Sequence, residues 1–173
     1  MHVHVLTTGG TIDKVYFDAK SEFQVGEPQV TDLFREAGVA FAYSVEVLFQ
    51  KDSLDMTDAD RRLVAERVRA AEHGRLLVTH GTDTMAETAR AVADALAEAG
   101  DASKTVVFLG SLTPARFKAS DAEFNVGFAA AAVQTLPPGV YVAMNGRVFD
   151  AYHVRKDRER NRFVADTSAA PAA

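Results

Sequence analysis

Two short segments of this chain combine hydroxyl groups with glycine in a way that suits nucleophilic chemistry. They are Thr7-Thr8-Gly9-Gly10-Thr11-Ile12 near the start and Val78-Thr79-His80-Gly81-Thr82-Asp83-Thr84 nearly half-way along. Each follows an apolar run, so each delivers a hydroxyl where a strand should give way to a turn. An alcohol oxygen is a poor nucleophile at neutral pH unless a base or a local field assists loss of its proton. Thr11 follows two glycines, whose missing side chains let a substrate approach the backbone closely. Tyr16, in the same loop, could hydrogen-bond the Thr11 hydroxyl and relay its proton. Thr82 and Asp83 stand at a predicted helix start, where unpaired N–H donors favour developing negative charge. Asp83 there suits a substrate ammonium group. Read without chemistry, Thr11 is a turn or cap residue and Thr82-Asp83 a helix cap; spacing alone leaves both readings open.

Other candidates are weaker by themselves. Lys156 lies in Arg155-Lys156-Asp157-Arg158-Glu159-Arg160, and a charge run of this kind is ordinarily a solvated face. Brought beside Thr82, the same lysine could support proton transfer. His80, inside a strand end, reads as a structural hydrogen-bonding group, and Asn125 and Asp150 read as structural too. The phosphate-loop pattern GxxxxGK followed by Ser or Thr and the dinucleotide pattern GxGxxG are both absent.

These residues need a scaffold, and the hydropathy pattern supplies one. Strands are expected at Val3 to Thr7, Ser44 to Phe49 (buried), Arg75 to Thr79, Thr105 to Leu109 and Val140 to Met144. A short helix is expected after Pro28, and another after Thr57 with Leu63, Val64, Val68 and Ala71 on one face and Gly74 ending it. The helix opening near Asp83-Thr84 has Thr84 and Glu87 at capping-box spacing, a stripe of Met85, Ala89, Val92 and Leu96, and Gly100 closing it. A further helix opens at Ser120 and Glu123, with Phe124, Phe128 and Ala132 on one side. Residues 13–28 read as an irregular polar stretch, long enough to be a functional loop or lid. Strands alternating with helices predict a three-layer α/β/α fold with a mostly parallel, Rossmann-like sheet. In such sheets ligands bind beyond the carboxyl ends of the strands, so the loops starting at Thr8, Ser53, Thr79, Gly110 and Asn145 share one rim. One domain is expected over 1–165, with a mobile tail over 166–173.

Bulk properties narrow the function classes. The chain has 173 residues and no cysteine, so disulfides and thiolate metal sites are excluded. The five histidines include one close pair, His2 and His4, and no HExxH pattern, which argues against a catalytic zinc site. A net charge of -5 argues against steering onto nucleic acid. No run approaches the roughly 18 apolar residues of a membrane span, and the first residues lack the character of a signal peptide, so a cytoplasmic setting is expected.

Four segments in order resemble the bacterial-type L-asparaginase family, over Val3 to about Lys156. Thr8-Gly9-Gly10-Thr11-Ile12 is similar to the nucleophile motif, and Thr79 through Thr88 to the second signature. Ser53-Leu54-Asp55-Met56 resembles the segment that holds the substrate carboxylate. Met144-Asn145 through Val154-Arg155-Lys156 resembles the stretch that ends in the catalytic lysine. The resemblance implies a ping-pong amidohydrolase with no metal or organic cofactor, acting on asparagine. It implies catalytic Thr11, Tyr16, Thr82, Asp83 and Lys156, and a substrate-binding set of Gly10, Ser53, Asp55, Gly81, Thr82, Asp83 and Ser111. The loop carrying Tyr16 and Phe23 would be the lid. Two-domain members supply an acidic residue to a neighbouring subunit's site, and no second domain is read here; Leu54 stands where many members carry glutamine. The short single-domain members are the best match. Alternatives are hydrolysis of another small amide (D-asparagine or a substituted asparagine) and a catalytically weak asparagine- or aspartate-binding module. A homodimer or larger assembly is expected, because family sites are completed between subunits.

Overall fold

The structure, a computed structural model, describes residues 1–17 and 22–166; the side chains of Tyr16, Phe17, Glu22 and Phe23 lie outside what it describes. Of the tail expected over 166–173, only Asp166 is among the described residues.

Six strands form the main sheet: β1 (His2–Gly9), β4 (Ala42–Lys51), β5 (Arg75–Thr79), β6 (Thr105–Leu109), β7 (Gly139–Met144) and β8 (Arg147–Asp150). Their spatial order is β4-β1-β5-β6-β7-β8. Every pairing is parallel except β7 with β8. The central strands β5 and β6 are buried along nearly their whole length, as their near-continuous apolar runs require of strands covered on both faces. Successive residues then serve opposite layers. Leu6, Leu76, Val78, Val106 and Phe108 face α2 (Asp58–Ala70) and α3 (Met85–Glu98). Val3, Val5, Leu77, Val107 and Leu109 face α1 (Val30–Glu36) and α4 (Ala122–Thr135). This is a mixed α/β fold in three layers with a mostly parallel sheet. No helix among the described residues is long and apolar enough to cross a membrane.

Helix signals were accurate in some places and misleading in others. Thr57 caps α2 through a reciprocal capping box with Asp60, but α2 ends at Ala70, before the expected stop at Gly74. Thr84 precedes α3 as expected yet makes no side-chain cap; its hydroxyl donates to the Ser53 carbonyl instead (2.8 Å). Met85, Ala89, Val92 and Leu96 are all buried. On α4 the expected face of Phe124, Phe128 and Ala132 is only partly right: Ala132 is buried and Phe128 packs against the core, but Phe124 does not. Phe124 is 61% exposed, and the buried side is Val126, Ala129, Ala130 and Val133, because the small residues let the helix approach the sheet.

Three further departures concern strands. β4 is an edge strand with no fully buried residue; its apolar side chains are partly covered on both faces, Tyr43 and Val45 against one core layer and Leu48 and Phe49 against the other. Residues 13–28 are not irregular throughout, since β2 (Lys14–Phe17) and β3 (Glu22–Val25) pair antiparallel. The charge run holding Lys156 folds as β9 (Val154–Asp157), which pairs antiparallel with β10 (Arg162–Ala165).

Candidate active site

The carboxyl ends of β1, β4, β5 and β6 bring four loops to one rim. β1 and β5 are knitted there by the Thr8 hydroxyl, which donates to the Thr79 carbonyl at 2.9 Å. Gly10 has φ 94°, and a side chain on it would collide with the Gly81 backbone. Glycine therefore permits both the left-handed turn and the close approach of the two loops. Thr11 follows, half-buried, as the first residue of a 3-10 turn over Thr11–Asp13.

Across this contact lies a charged hydrogen-bonded cluster. Lys156 Nζ donates to Thr82 Oγ1 at 2.7 Å and to Asp83 Oδ1 at 2.9 Å. Thr82 is 4% exposed; the Lys156 side chain is 11% and that of Asp83 34% exposed. The lysine amine is thus buried at Thr82 while the carboxylate opens toward solvent. In chemical terms the cluster offers a hydroxyl hydrogen-bonded to an amine, and a carboxylate with room for a cationic group.

Lys156 reaches this point because its hairpin is anchored in the core. Its register partner Phe163 is 2% exposed. The Phe163 N–H donates to Asn145 Oδ1 (3.0 Å), and the Asn145 N–H donates to Asn125 Oδ1 (3.3 Å). Asn125 in turn donates to the Gly110 carbonyl and to Asp121. The structural reading of Asn125 thus acquires a specific content, as a strut between β6, α4 and the lysine hairpin. Asp150 accepts from the Tyr152 N–H.

Ser53 begins a 3-10 turn over Ser53–Asp55 and is 1% exposed. It packs on Gly81, where a side chain would lie 2.6 Å from Ser53 Oγ. Among the described residues that hydroxyl has no hydrogen-bond partner, unusual for a buried polar atom. Asp55 and Leu54 are exposed on the same turn. Ser111 is buried, and its hydroxyl is used within its own loop, donating to the Thr113 carbonyl at 2.6 Å. Tyr16 lies on β2 in register with Phe23; its phenol is outside the described side chains. His80 is fully buried and bonds the Gly81 carbonyl (2.7 Å) and the Thr88 hydroxyl (2.8 Å). Burial pulls its pKa down to about 4, helped by the Arg61 charge and opposed by the Gly81 carbonyl, so it is a neutral scaffold group near pH 7.

Sequence reasoning missed Asp52. Its Oδ2 pairs with Lys14 Nζ at 2.7 Å. Burial pushes its carboxyl up, but the Lys14 hydrogen bond and charge, the Leu54 N–H and the Lys156 charge together hold it below the usual carboxylate range. Asp13, Gln29 and Arg116 were missed too; no motif or periodicity distinguishes them in the sequence. Among the described residues no group of three His, Asp or Glu side chains could hold a metal ion. The hollow of about 320 Å³ between α1 and α4, lined by Leu33, Phe34, Val39, Val126 and Ala130 among others, contains none of the cluster residues.

Comparison with known proteins gives the family and the fold. The family model described as Asparaginase, N-terminal, matches residues 2–169. The chain belongs to the asparaginase family. It is 29% identical over 171 residues to a glutaminase-asparaginase of Acinetobacter glutaminasificans, and 30% identical over 171 residues to L-asparaginase 2 of Escherichia coli. These alignments take in 90% of this chain but 49% and 46% of the relatives, so the chain spans about half the length of the curated relatives it matches. Among solved structures, the thermostable L-asparaginase from Thermococcus kodakarensis matches at a TM-score of 0.80 and 25% identity, over 95% of this chain and 51% of that one. A probable cytoplasmic L-asparaginase from Campylobacter jejuni matches at 0.75 and 25%, over 96% and 53%.

Proposed function

We propose that this chain hydrolyses the side-chain amide of L-asparagine to L-aspartate and ammonia through a Thr11 acyl-enzyme. The observation that carries the proposal is the 2.7 Å bond from the Lys156 amine to the Thr82 hydroxyl, beside the Thr11 turn that Gly10 presses onto Gly81. In the proposed reaction Thr11 Oγ attacks the amide carbon, the C–N bond breaks, and ammonia leaves with the hydroxyl's proton. Water then cleaves the ester, releasing aspartate and restoring Thr11. Thr82 and Lys156 assist proton transfer at the reacting centre, and Asp83 binds the substrate ammonium through its exposed side. Ser53, whose hydroxyl has no hydrogen-bond partner among the described residues, donates to the α-carboxylate. Tyr16 relays the Thr11 proton, and Gly10, Asp55, Gly81 and Ser111 complete the substrate side. The chemistry proposed calls on no metal or organic cofactor.

The test is ammonia release from asparagine by the wild type and by Thr11→Ala. Turnover should fall on the order of 10³-fold or more, as for loss of a nucleophile; equal rates would reject Thr11 in this role. A second reading, another small amide as substrate, is favoured by Leu54, which is 65% exposed beside Ser53. A panel of D-asparagine and substituted asparagines separates the two. The proposal includes a closed homo-oligomer, supported by the exposure of Phe124, Phe117 and Tyr152; light scattering that shows only monomer would contradict it. It also includes a cytoplasmic setting, supported by the Campylobacter neighbour so described.

A further inference from the structure

We infer that Asp13 is a positioning residue for the proposed reaction: its buried carboxyl ties the segment leaving β3, at the stem of the β2–β3 hairpin, to the Thr11 turn and thereby fixes Thr11 against the Thr82–Lys156 cluster. The inference rests on the amidohydrolase reading above. Asp13 is 1% exposed and closes the 3-10 turn that Thr11 opens. Its N–H donates to the Gly10 carbonyl (3.1 Å), its carbonyl accepts from the Gly26 N–H (2.8 Å), and its Oδ1 accepts from the Gln29 N–H (2.8 Å).

Gln29, 5% exposed, is itself held from the opposite side. Its Oε1 accepts from Arg116 Nε at 3.0 Å, and its Nε2 donates to the Glu27 carbonyl at 2.7 Å. The Ala115 N–H donates to the Ile12 carbonyl at 3.1 Å. One hydrogen-bonded junction therefore joins the end of β1, the stem of the hairpin and the loop after β6. None of Asp13, Gln29 and Arg116 is a substrate group in the proposed mechanism, yet Asp13 sits two residues from the nucleophile.

A buried acid with one hydrogen-bonded carboxyl oxygen is a costly way to build a turn. Burial pushes the Asp13 carboxyl up to about 7, with the Gln29 N–H opposing and the Glu27 charge adding. The other charged groups at the junction are Arg116, beyond Gln29, and the Lys14–Asp52 pair on the adjoining residue. Near neutrality the group is therefore partly protonated, and an asparagine would keep its shape and its acceptor. Loss of the acceptor should instead release the turn, and misplacement of a reacting group by about 1 Å costs on the order of 10²-fold in rate.

The experiment compares the wild type with Asp13→Ala, Asp13→Asn and Arg116→Ala, reading amide hydrogen exchange and steady-state asparagine hydrolysis. In Asp13→Ala the Gly26 and Gln29 amides should exchange at least about tenfold faster while β5 and β6 stay protected. Its kcat should fall on the order of 10²-fold with KM within about threefold of wild type. Asp13→Asn should restore both readouts most of the way. Arg116→Ala, an exposed change that leaves the buried carboxyl in place, should speed Gln29 exchange in the same direction by less, which keeps the test decisive if Asp13→Ala does not fold. The inference is overturned if Gly26 and Gln29 stay as protected in Asp13→Ala as in the wild type. Asp13→Asn as impaired as Asp13→Ala overturns it too, as does Arg116→Ala leaving Gln29 exchange unchanged. A wild type that releases no ammonia from asparagine would reject the functional reading by itself, and the exchange data would still decide whether Asp13 holds the junction.

Discussion

Two hairpins flank the candidate site, and different physics holds each in place. The β9–β10 hairpin carries Lys156 and is fixed by Phe163, a core side chain, together with the Asn145 and Asn125 struts. The β2–β3 hairpin leaves the Thr11 turn; Val25 packs at Gly9 and Val15 at Gly26, and the stem also carries polar contacts, Asp13 with Gln29 and Lys14 with Asp52. Apolar burial resists water, whereas hydrogen bonds are exchanged for bonds to water at a net gain of only about 1 kcal/mol each. The lysine hairpin is thus built into the fold, whereas the Thr11 turn has Ile12 in the core but its junction with the β2–β3 hairpin includes replaceable hydrogen bonds.

The contrast can be broken from the lysine side first. Lys156→Met should lower turnover on the order of 10³-fold with a smaller change in KM, the pattern of lost transition-state support. Steady-state kinetics in which only KM moves would remove Lys156 from the chemistry. Phe163→Ala should cost about 3–5 kcal/mol of stability by chemical denaturation, and the folded fraction should also lose activity because the register partner of Lys156 has lost its anchor. A folded Phe163→Ala protein with wild-type turnover would mean that the hairpin is held by something else.

On the other side, Asp13 sets a pH window. Its folded pKa is raised above the ordinary value of 3.8 to about 7. Between these values the folded state keeps a proton that the unfolded chain has lost. Its contribution therefore weakens stability as pH rises from about 4 to about 7, by up to about 4 kcal/mol, and levels off above. His80, pulled by burial from 6.5 down to about 4, acts with the opposite sign over the same window, so the Asp13 contribution is read by difference. Between about pH 4 and 7 the urea midpoint of the wild type should fall relative to that of Asp13→Asn, and parallel profiles would contradict it. Asp60, held down to about 2 mainly by its Lys51 hydrogen bond, acts with the opposite sign below this window and does not mask it. The smallest effect belongs to Lys14→Met. Its ion pair with Asp52 is more than a quarter exposed on both sides, so stability should change by less than about 1 kcal/mol. Substrate affinity should move more than stability, because Asp52 adjoins Ser53; denaturation and KM measured on one preparation would check this.

What the sequence could reveal follows the same division. β5, β6 and α3 were legible because burial on two faces, or on one helical face, forces a pattern on the chain: Leu76 to Val78, Val106 to Leu109, and the Met85–Leu96 stripe. β4 read as buried because Val45, Val47 and Leu48 are apolar, although an edge position exposes much of them. Phe124 has the size of a core residue but faces solvent, while Phe128 packs against the core beside the alanines of α4. The motif residues at the rim were legible by type and order, and the coordinates bring Lys156 to Thr82 across 74 positions of sequence. The junction of Asp13, Gln29 and Arg116 left no periodic trace, since Gln29 and Arg116 meet across 87 positions through single hydrogen bonds.

The central claim is an acyl-enzyme on Thr11, and product partition in the presence of hydroxylamine tests it most directly. If asparagine first acylates Thr11, hydroxylamine will capture the acyl group, so β-aspartyl hydroxamate will rise at the expense of aspartate, and Thr11→Ala will form neither. Aspartate formed at the wild-type rate with no hydroxamate at any hydroxylamine concentration, or unchanged partition in Thr11→Ala, would contradict the account.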